Sequence, residues 1–195
     1  MYKEYLKRKE KVIISAIELL DERGIQGLTT KELAKREGIT EPAIYKQFDS
    51  KQEIILAILD QFAKFDEVIM NTIIEQKMTP KEGILYFAES YASYYQNYPQ
   101  ITTVMFSMDV FRYDEKANQK MAETMKKRQE FMTQLITRAR QLCGIEMEIS
   151  PEELAEMLLA VIWSTTLKWK LDGCKLVLKQ LVMKKIKWLI DKSLL

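Results

Sequence analysis

The chain contains no histidine. That absence excludes Ser-His-Asp and Cys-His catalysis, histidine-ligated metals and a histidine switch near neutral pH. Cysteine is nearly as scarce. The two present, Cys143 and Cys174, lie far apart with no CxxC context, which predicts reduced, buried thiols. There are only 6 glycines and 4 prolines, at apparent helix ends, which favours an all-α protein over a sheet protein. No sign of charge dominates: 30 Lys and Arg against 28 Asp and Glu give +2, so any surface for nucleic acid must be a local basic patch. There is no glycine-rich phosphate loop, and the Asp/Glu pairs fall on exposed helix faces. No enzyme activity, cofactor or metal site is expected. The uncharged run from Ser90 to Met108 raises the question of a membrane span, but its Tyr, Ser, Gln, Asn and Pro content argues against one. The basic, then apolar, start of the chain is interrupted by Glu18 and has no cleavage site, so it does not read as a signal peptide. A soluble, cytoplasmic protein is expected.

What is present centres on residues 29–53, TTKELAKREGITEPAIYKQFDSKQE. Thr29 is a good N-cap, and Glu32 stands three residues on, where its carboxylate can reach back to the cap N–H. The short helix that follows turns Leu33 and Ala34 inward, and Gly38 ends it in the left-handed conformation. Ile39 plugs the corner. Thr40 caps a second helix with Ile44 and Phe48 inward and Glu41, Ala43, Lys46 and Gln47 outward. Pro42, as its second residue, removes only an orphan donor, and the Thr40 hydroxyl must bond the N–H of Ala43. Ser50 and Glu53 open a third helix with another capping box, and Lys51 sits in its first turn. Two short helices about a glycine turn, the second outwardly polar, match the DNA-binding helix-turn-helix. Three packed core helices with a tight turn are the alternative from the residues alone.

The same string resembles the N-terminal domain of the TetR family of bacterial transcriptional regulators. Gly27-Leu28-Thr29-Thr30, Leu33-Ala34, Gly38-Ile39-Thr40, Ile44-Tyr45, Phe48 and Ser50-Lys51 carry the resemblance. With the first helix they cover about the first quarter of the chain; the remainder is similar only in length and helical layout.

Around this motif the periodicity predicts about nine helices. The first covers residues 3–23, with Leu6, Ile13, Ile17 and Leu20 inward, a stop at Gly24, and Lys3, Lys7, Arg8, Lys9 and Lys11 at its front. That cluster is either a solvated helix start or an arm near a DNA backbone. A long helix from Lys51 to about Lys77 keeps Ile54, Ile55, Ile58, Leu59, Phe62, Phe65, Ile69 and Ile73 on one face. Thr79-Pro80-Lys81-Glu82 opens the next, to about Asn97, with Ile84, Phe87, Ala88, Tyr91, Tyr95 and Tyr98 inward. A short helix covers about Gln100 to Asp109. Another covers 114–143, with Met121, Met125, Phe131, Met132, Leu135 and Ile136 as core candidates. Ser150-Pro151-Glu152-Glu153 opens a helix that is apolar nearly all round from Leu154 to Trp163, so it must be buried on both sides. A second copy of the chain is the cheapest cover. With the last helix, about Cys174 to Ser193, it forms half of an intermolecular four-helix bundle whose interface includes Leu158, Val161, Leu178, Leu181, Val182 and Leu189. TetR-family dimers are built in this way. The domains read as a helix-turn-helix head, residues 1–50, and a regulatory and dimerisation body, residues 51–195.

The resemblance implies a partner, double-stranded DNA carrying a pseudo-palindromic operator, and a homodimeric repressor. Carried over residue by residue, Glu41, Pro42 and Ala43 would meet base edges, with Lys46 and Gln47 beside them and Lys31 reaching a base from the preceding helix. Thr30, Thr40, Tyr45 and Lys51 would hold phosphates. The chain departs from the family at Gln47, where histidine or an aromatic residue is frequent, and at Glu37, where the family has a small residue. Glu41 also needs a donor to sit near phosphates. The family's second domain usually binds a small molecule that lowers DNA affinity. Tyr91, Tyr95, Phe106 and Trp163 are the candidate lining of such a pocket, the alternative being ordinary core side chains. With no buried charge apparent, the effector is expected to be apolar or aromatic. A DNA-binding relative without an effector, acting through protein contacts or as a nucleoid-associated factor, is the other reading. A pure interaction protein would show no salt-sensitive DNA binding.

Overall fold

The structure, a computed structural model, describes residues 7–107, 114–144 and 148–193. These form nine α-helices and no strand: α1 (Arg8–Gly27), α2 (Thr30–Glu37), α3 (Glu41–Tyr45), α4 (Lys51–Glu75), α5 (Pro80–Asn97), α6 (Gln100–Phe106), α7 (Glu115–Cys143), α8 (Pro151–Leu171) and α9 (Leu178–Ser193). The all-α architecture is the one expected. Lys3, Leu6, Met108 and Asp109, assigned to helices from the sequence, lie outside the described residues.

Local chemistry sets the helix boundaries. Thr79 and Glu82 make both halves of the capping box of α5, and Ser150 and Glu153 do the same for α8, each with proline in the first turn. Hydrogen bonds from the Thr79 hydroxyl and N–H hold the Glu82 carboxyl below its ordinary range. Those from Ser150 do the same for Glu153. At Gly24 the backbone leaves helical geometry (φ 65°, ψ −172°), but a last turn to Gly27 follows. The expected stop is therefore a kink. Tyr98 is a correction: it lies beyond the end of α5 and is exposed, not inward. The cysteines are another: both are free thiols, but neither is buried, Cys143 being exposed and Cys174 half-buried.

The helices gather into two compact units, Met1–Phe62 with Gln100–Ala122, and Ala63–Pro99 with Glu123–Leu195. The division falls inside α4 and α7. In the first unit α1 packs on α2 and α6, and α2 packs on α3. Val12, Leu19, Leu33, Ile44, Phe48, Ile54 and Ile58 are buried there. In the second, α9 packs on α5 and α8, and α5 also meets α8. Phe87, Tyr95, Leu154, Ile162, Val182 and Ile186 supply its core. Gly83 lets α5 approach its neighbours closely. A Cβ there would lie 3.0 Å from Ile73 Cγ2 and 3.3 Å from Leu135 Cδ2. Among the described residues no helix is long and apolar enough to cross a membrane.

Candidate nucleic-acid interface

The turn between α2 and α3 depends on Gly38, which takes φ 64° and ψ 31°. Its N–H donates to the Lys35 carbonyl at 3.3 Å, and the Ile39 N–H donates to the Ala34 carbonyl at 3.0 Å. A Cβ at Gly38 would meet open space, so the cost of Gly38→Ala is the left-handed backbone alone. We expect a loss of about 1–2 kcal/mol, read as a lower denaturant midpoint at unchanged m. An unchanged midpoint would contradict this geometry.

The caps form only in part. Thr29 Oγ1 accepts from the Glu32 N–H at 3.1 Å, but the Glu32 carboxylate pairs with Arg23 at 2.9 Å. At α3 the Ala43 N–H goes to the Thr40 carbonyl at 2.9 Å, and the Thr40 side chain makes no cap bond. The tight first turn uses the donor that the hydroxyl was expected to take. Ser50 Oγ accepts from the Glu53 N–H at 3.1 Å, whereas the Glu53 carboxylate reaches the Asp49 N–H at 2.6 Å and Lys9 at 3.7 Å. Lys9 also lies 4.8 Å from the centre of the Phe48 ring. One member of the N-terminal basic cluster is therefore held against the motif.

The outer face can be described residue by residue. Helix α3 ends at Tyr45, earlier than expected, yet the Phe48 N–H still reaches the Ile44 carbonyl at 3.1 Å, and both side chains are buried. Lys31, Thr40, Pro42, Tyr45 and Lys46 are exposed, and Glu41, Ala43 and Gln47 are half-buried. The Thr30 hydroxyl donates to the Glu41 carboxylate and lies 3.4 Å from the Tyr45 hydroxyl. Glu41 thus has the donor that a carboxylate near phosphates requires, and the three side chains tie the start of α2 to α3. Glu37 accepts from the buried Ser15 hydroxyl of α1, which gives this departure from the family pattern a structural use. Lys51 is half-buried. Its ammonium donates to the Ile25 carbonyl at 2.6 Å, and burial lowers its pKa.

Tyr91 and Tyr95 come together, their ring centres 5.7 Å apart. Trp163 and Phe106 are half-buried, and Phe106 belongs to the first compact unit. Phe65 of α4 meets Tyr91 edge-on at 5.4 Å and stacks on Tyr94 at 4.1 Å. The expectation of no buried charge is overturned. Asp66 and Arg128 are both buried and form a fork: Arg128 Nε donates to Asp66 Oδ2 at 2.6 Å and Nη2 donates to Oδ1 at 3.0 Å. The guanidinium carbon lies 4.7 Å from the Tyr91 ring centre. Burial raises the Asp66 pKa and the guanidinium opposes that rise. Burial also pushes Tyr94 up to about 12 and Tyr95 up as well, so both stay protonated donors. The sequence did carry a signal. Asp66 stands on the Phe62–Ile69–Ile73 stripe and Arg128 on the Met125–Met132–Leu135 stripe, where a charge needs a buried partner.

The residues assigned to a dimer interface divide. Leu158, Leu178 and Val182 are already buried within the single chain, whereas Val161, Leu181 and Leu189 are half-buried. The first three are core residues of the subunit, because α8 turns Leu158, and α9 turns Leu178 and Val182, toward their own neighbours. The uncovered apolar side chains are others: Met157, Leu167 and Leu171 on α8, Leu176 and Val177 before α9, and Trp188 on α9.

Comparison with known proteins agrees with this geometry. A model of the family "bacterial regulatory proteins, tetR family" matches residues 12–58. The tetracycline repressor protein class C of Escherichia coli is 40% identical over 75 residues, 38% of this chain and 31% of that protein. The HTH-type transcriptional regulator EthR of Mycobacterium tuberculosis is 29% identical over 93 residues, 45% of this chain and 43% of that protein. The chain thus spans under half the length of these curated relatives, a repressor and a transcriptional regulator. Among solved structures, the regulator FadR from Bacillus subtilis in complex with stearoyl-CoA is similar with a TM-score of 0.79 at 20% identity, over 94% of this chain and 98% of that one. The ketosteroid regulator KstR2 of Mycobacterium tuberculosis gives 0.81 at 13% identity, over 97% and 96%. At those identities the likeness is one of fold. The matched head, residues 12–58 with its glycine turn and buried Ile44 and Phe48, is where this chain is similar to the TetR family of bacterial regulatory proteins.

Proposed function

We propose that the chain is a DNA-binding transcriptional regulator, a homodimeric repressor that a small molecule releases from a pseudo-palindromic operator. One observation carries the DNA-binding part: α3 buries Ile44 and Phe48 while Pro42, Tyr45 and Lys46 stay exposed beside half-buried Ala43 and Gln47. Residues 1–50 act as the head and 51–195 as the body. Thr30, Thr40, Tyr45 and Lys51 hold phosphates, and Lys31, Glu41, Pro42, Ala43, Lys46 and Gln47 face the major groove, where Gln can pair adenine and Lys can donate to guanine.

The test begins with selection of bound fragments from random DNA. On the selected site Gln47→Ala is expected to relax preference at one base-pair position, at a cost of about 1–3 kcal/mol. Lys51→Ala is expected to weaken all sequences alike and to flatten the salt dependence. An unchanged salt slope would instead give Lys51 the task of holding α4 to the Ile25 carbonyl.

The effector part is supported by the neighbour solved with stearoyl-CoA and by α4, one continuous helix from Lys51 to Glu75. Two heads must fit major grooves about 34 Å apart, so a movement of a few ångströms misfits them. A coupling of about 1–3 kcal/mol gives a 5- to 150-fold loss of affinity. By linkage, operator DNA weakens the effector by the same factor. Equal ligand affinity with and without operator would leave a DNA-binding dimer that acts through protein contacts.

A further inference from the structure

Arg128 has more donors than the fold uses. Its Nε and Nη2 are taken by Asp66. Its Nη1 has only the thioether of Met125, at 4.0 Å, a weak acceptor. Tyr91 and Tyr95, one helical turn apart on α5, are 2% and 0% exposed, and neither hydroxyl has a hydrogen-bond partner in the fold. The Tyr91 ring lies against the guanidinium, and the Tyr95 hydroxyl is near enough to it for a weak polar contact that falls short of hydrogen-bond geometry. Buried polar groups are paired in the great majority of cases, and each exception costs free energy. Two such exceptions flanking one under-used guanidinium are a local surplus of donors. The buried anion of the cluster, Asp66, has both oxygens engaged by Arg128.

We propose that Arg128 Nη1 and the hydroxyls of Tyr91 and Tyr95 form the polar end of a ligand site. Its ligand is a neutral, apolar molecule carrying one carbonyl-type oxygen. This rests on the effector reading given above and specifies the effector's chemistry. The neutrality follows from charge. Asp66 and Arg128 already cancel, so an anion would add a net charge to a buried site, at a desolvation cost that an uncharged acceptor avoids. A carbonyl oxygen accepts from two or three donors without bringing a donor of its own. The apolar body is suited to the Phe65–Tyr94 stack and to Phe87, whose ring centre is 4.8 Å from that of Tyr91.

The test uses three probes of one shape on the full-length protein by calorimetric titration: benzylacetone, butylbenzene and hydrocinnamate. The first carries a ketone, the second replaces it with a methylene group, and the third replaces the methyl ketone with a carboxylate. Benzylacetone is expected to bind at least about tenfold more tightly than butylbenzene, and hydrocinnamate more weakly than the ketone. In the double variant Tyr91→Phe, Tyr95→Phe the ketone advantage falls toward onefold. The thermal midpoint of that variant does not fall, because no hydrogen bond within the fold is lost. Absence of a ketone advantage, including no binding of either neutral probe, overturns the proposal and leaves these donors to water. So does an advantage that survives in the double variant, or a clear drop in that variant's thermal midpoint, which would reveal partners inside the fold. Tighter binding of hydrocinnamate than of the ketone overturns the neutral class. Release of the selected DNA is measured separately. A ketone advantage without DNA release upholds the site and removes its role as effector site.

Discussion

Asp66→Ala is expected to destabilise the protein by about 3–5 kcal/mol, a large part of the total stability of a domain. Asp66 and Arg128 are both almost fully enclosed and meet through two hydrogen bonds. Removing the carboxylate leaves a guanidinium in apolar surroundings, and arginine cannot escape by losing its proton. The Tyr91 face recovers only about 0.5–2 kcal/mol of that cost. The paired replacement Asp66→Leu with Arg128→Met is expected to restore most of the loss, because a buried pair holds little net stability over an apolar pair of similar volume. Urea unfolding at constant m reads both. A loss below about 1 kcal/mol for Asp66→Ala would show that water reaches the guanidinium, as at an exposed pair.

Leu158→Glu is expected to unfold the subunit, while Leu171→Glu is expected only to separate two subunits. The contrast follows from burial. Leu158 is 1% exposed in the single chain, and Leu171 is 78% exposed. A carboxylate at Leu158 must either stay charged in the core or take up a proton there, and it also displaces packed apolar volume. The expected loss exceeds about 4 kcal/mol. At Leu171 the same charge costs the isolated subunit almost nothing. It stands on the uncovered face with Met157 and Leu167, and apolar side chains so grouped mark an interaction surface. Circular dichroism should show a helical Leu171→Glu protein, and sedimentation at micromolar concentration should show it as a monomer beside a dimeric parent. If Leu171→Glu dimerises as the parent does, the interface lies elsewhere. If Leu158→Glu is a folded monomer, the burial of α8 is misassigned.

The pattern of what was legible follows from distance along the chain. Complete capping boxes at Thr79–Glu82 and Ser150–Glu153 involve three-residue spacings, with nothing nearby to compete. At Thr29 and Ser50 the same spacing forms only half the device, because Arg23 takes one glutamate and the Asp49 N–H takes the other. Those competitors depend on where α1 and the α3–α4 turn come to lie. The Asp66–Arg128 fork joins residues on two long helices, and single-helix periodicity showed each charge on an apolar stripe without showing its partner. The interface error at Leu158 has a related cause. A helix apolar on all sides needs two covers, but composition does not say which side meets its own chain. The glycine turn, Ile44 and Phe48 were legible because a short motif fixes them locally. The Thr30–Glu41–Tyr45 contact was not, because it spans that turn.

The fork between Asp66 and Arg128 also limits how α4 can move. A slide of one turn along its neighbour, about 5.4 Å, would pull the carboxylate off the guanidinium and strand both charges, so translation is closed to it. Tilting about the fork keeps both hydrogen bonds and stays open. The fork is then the fulcrum of a lever.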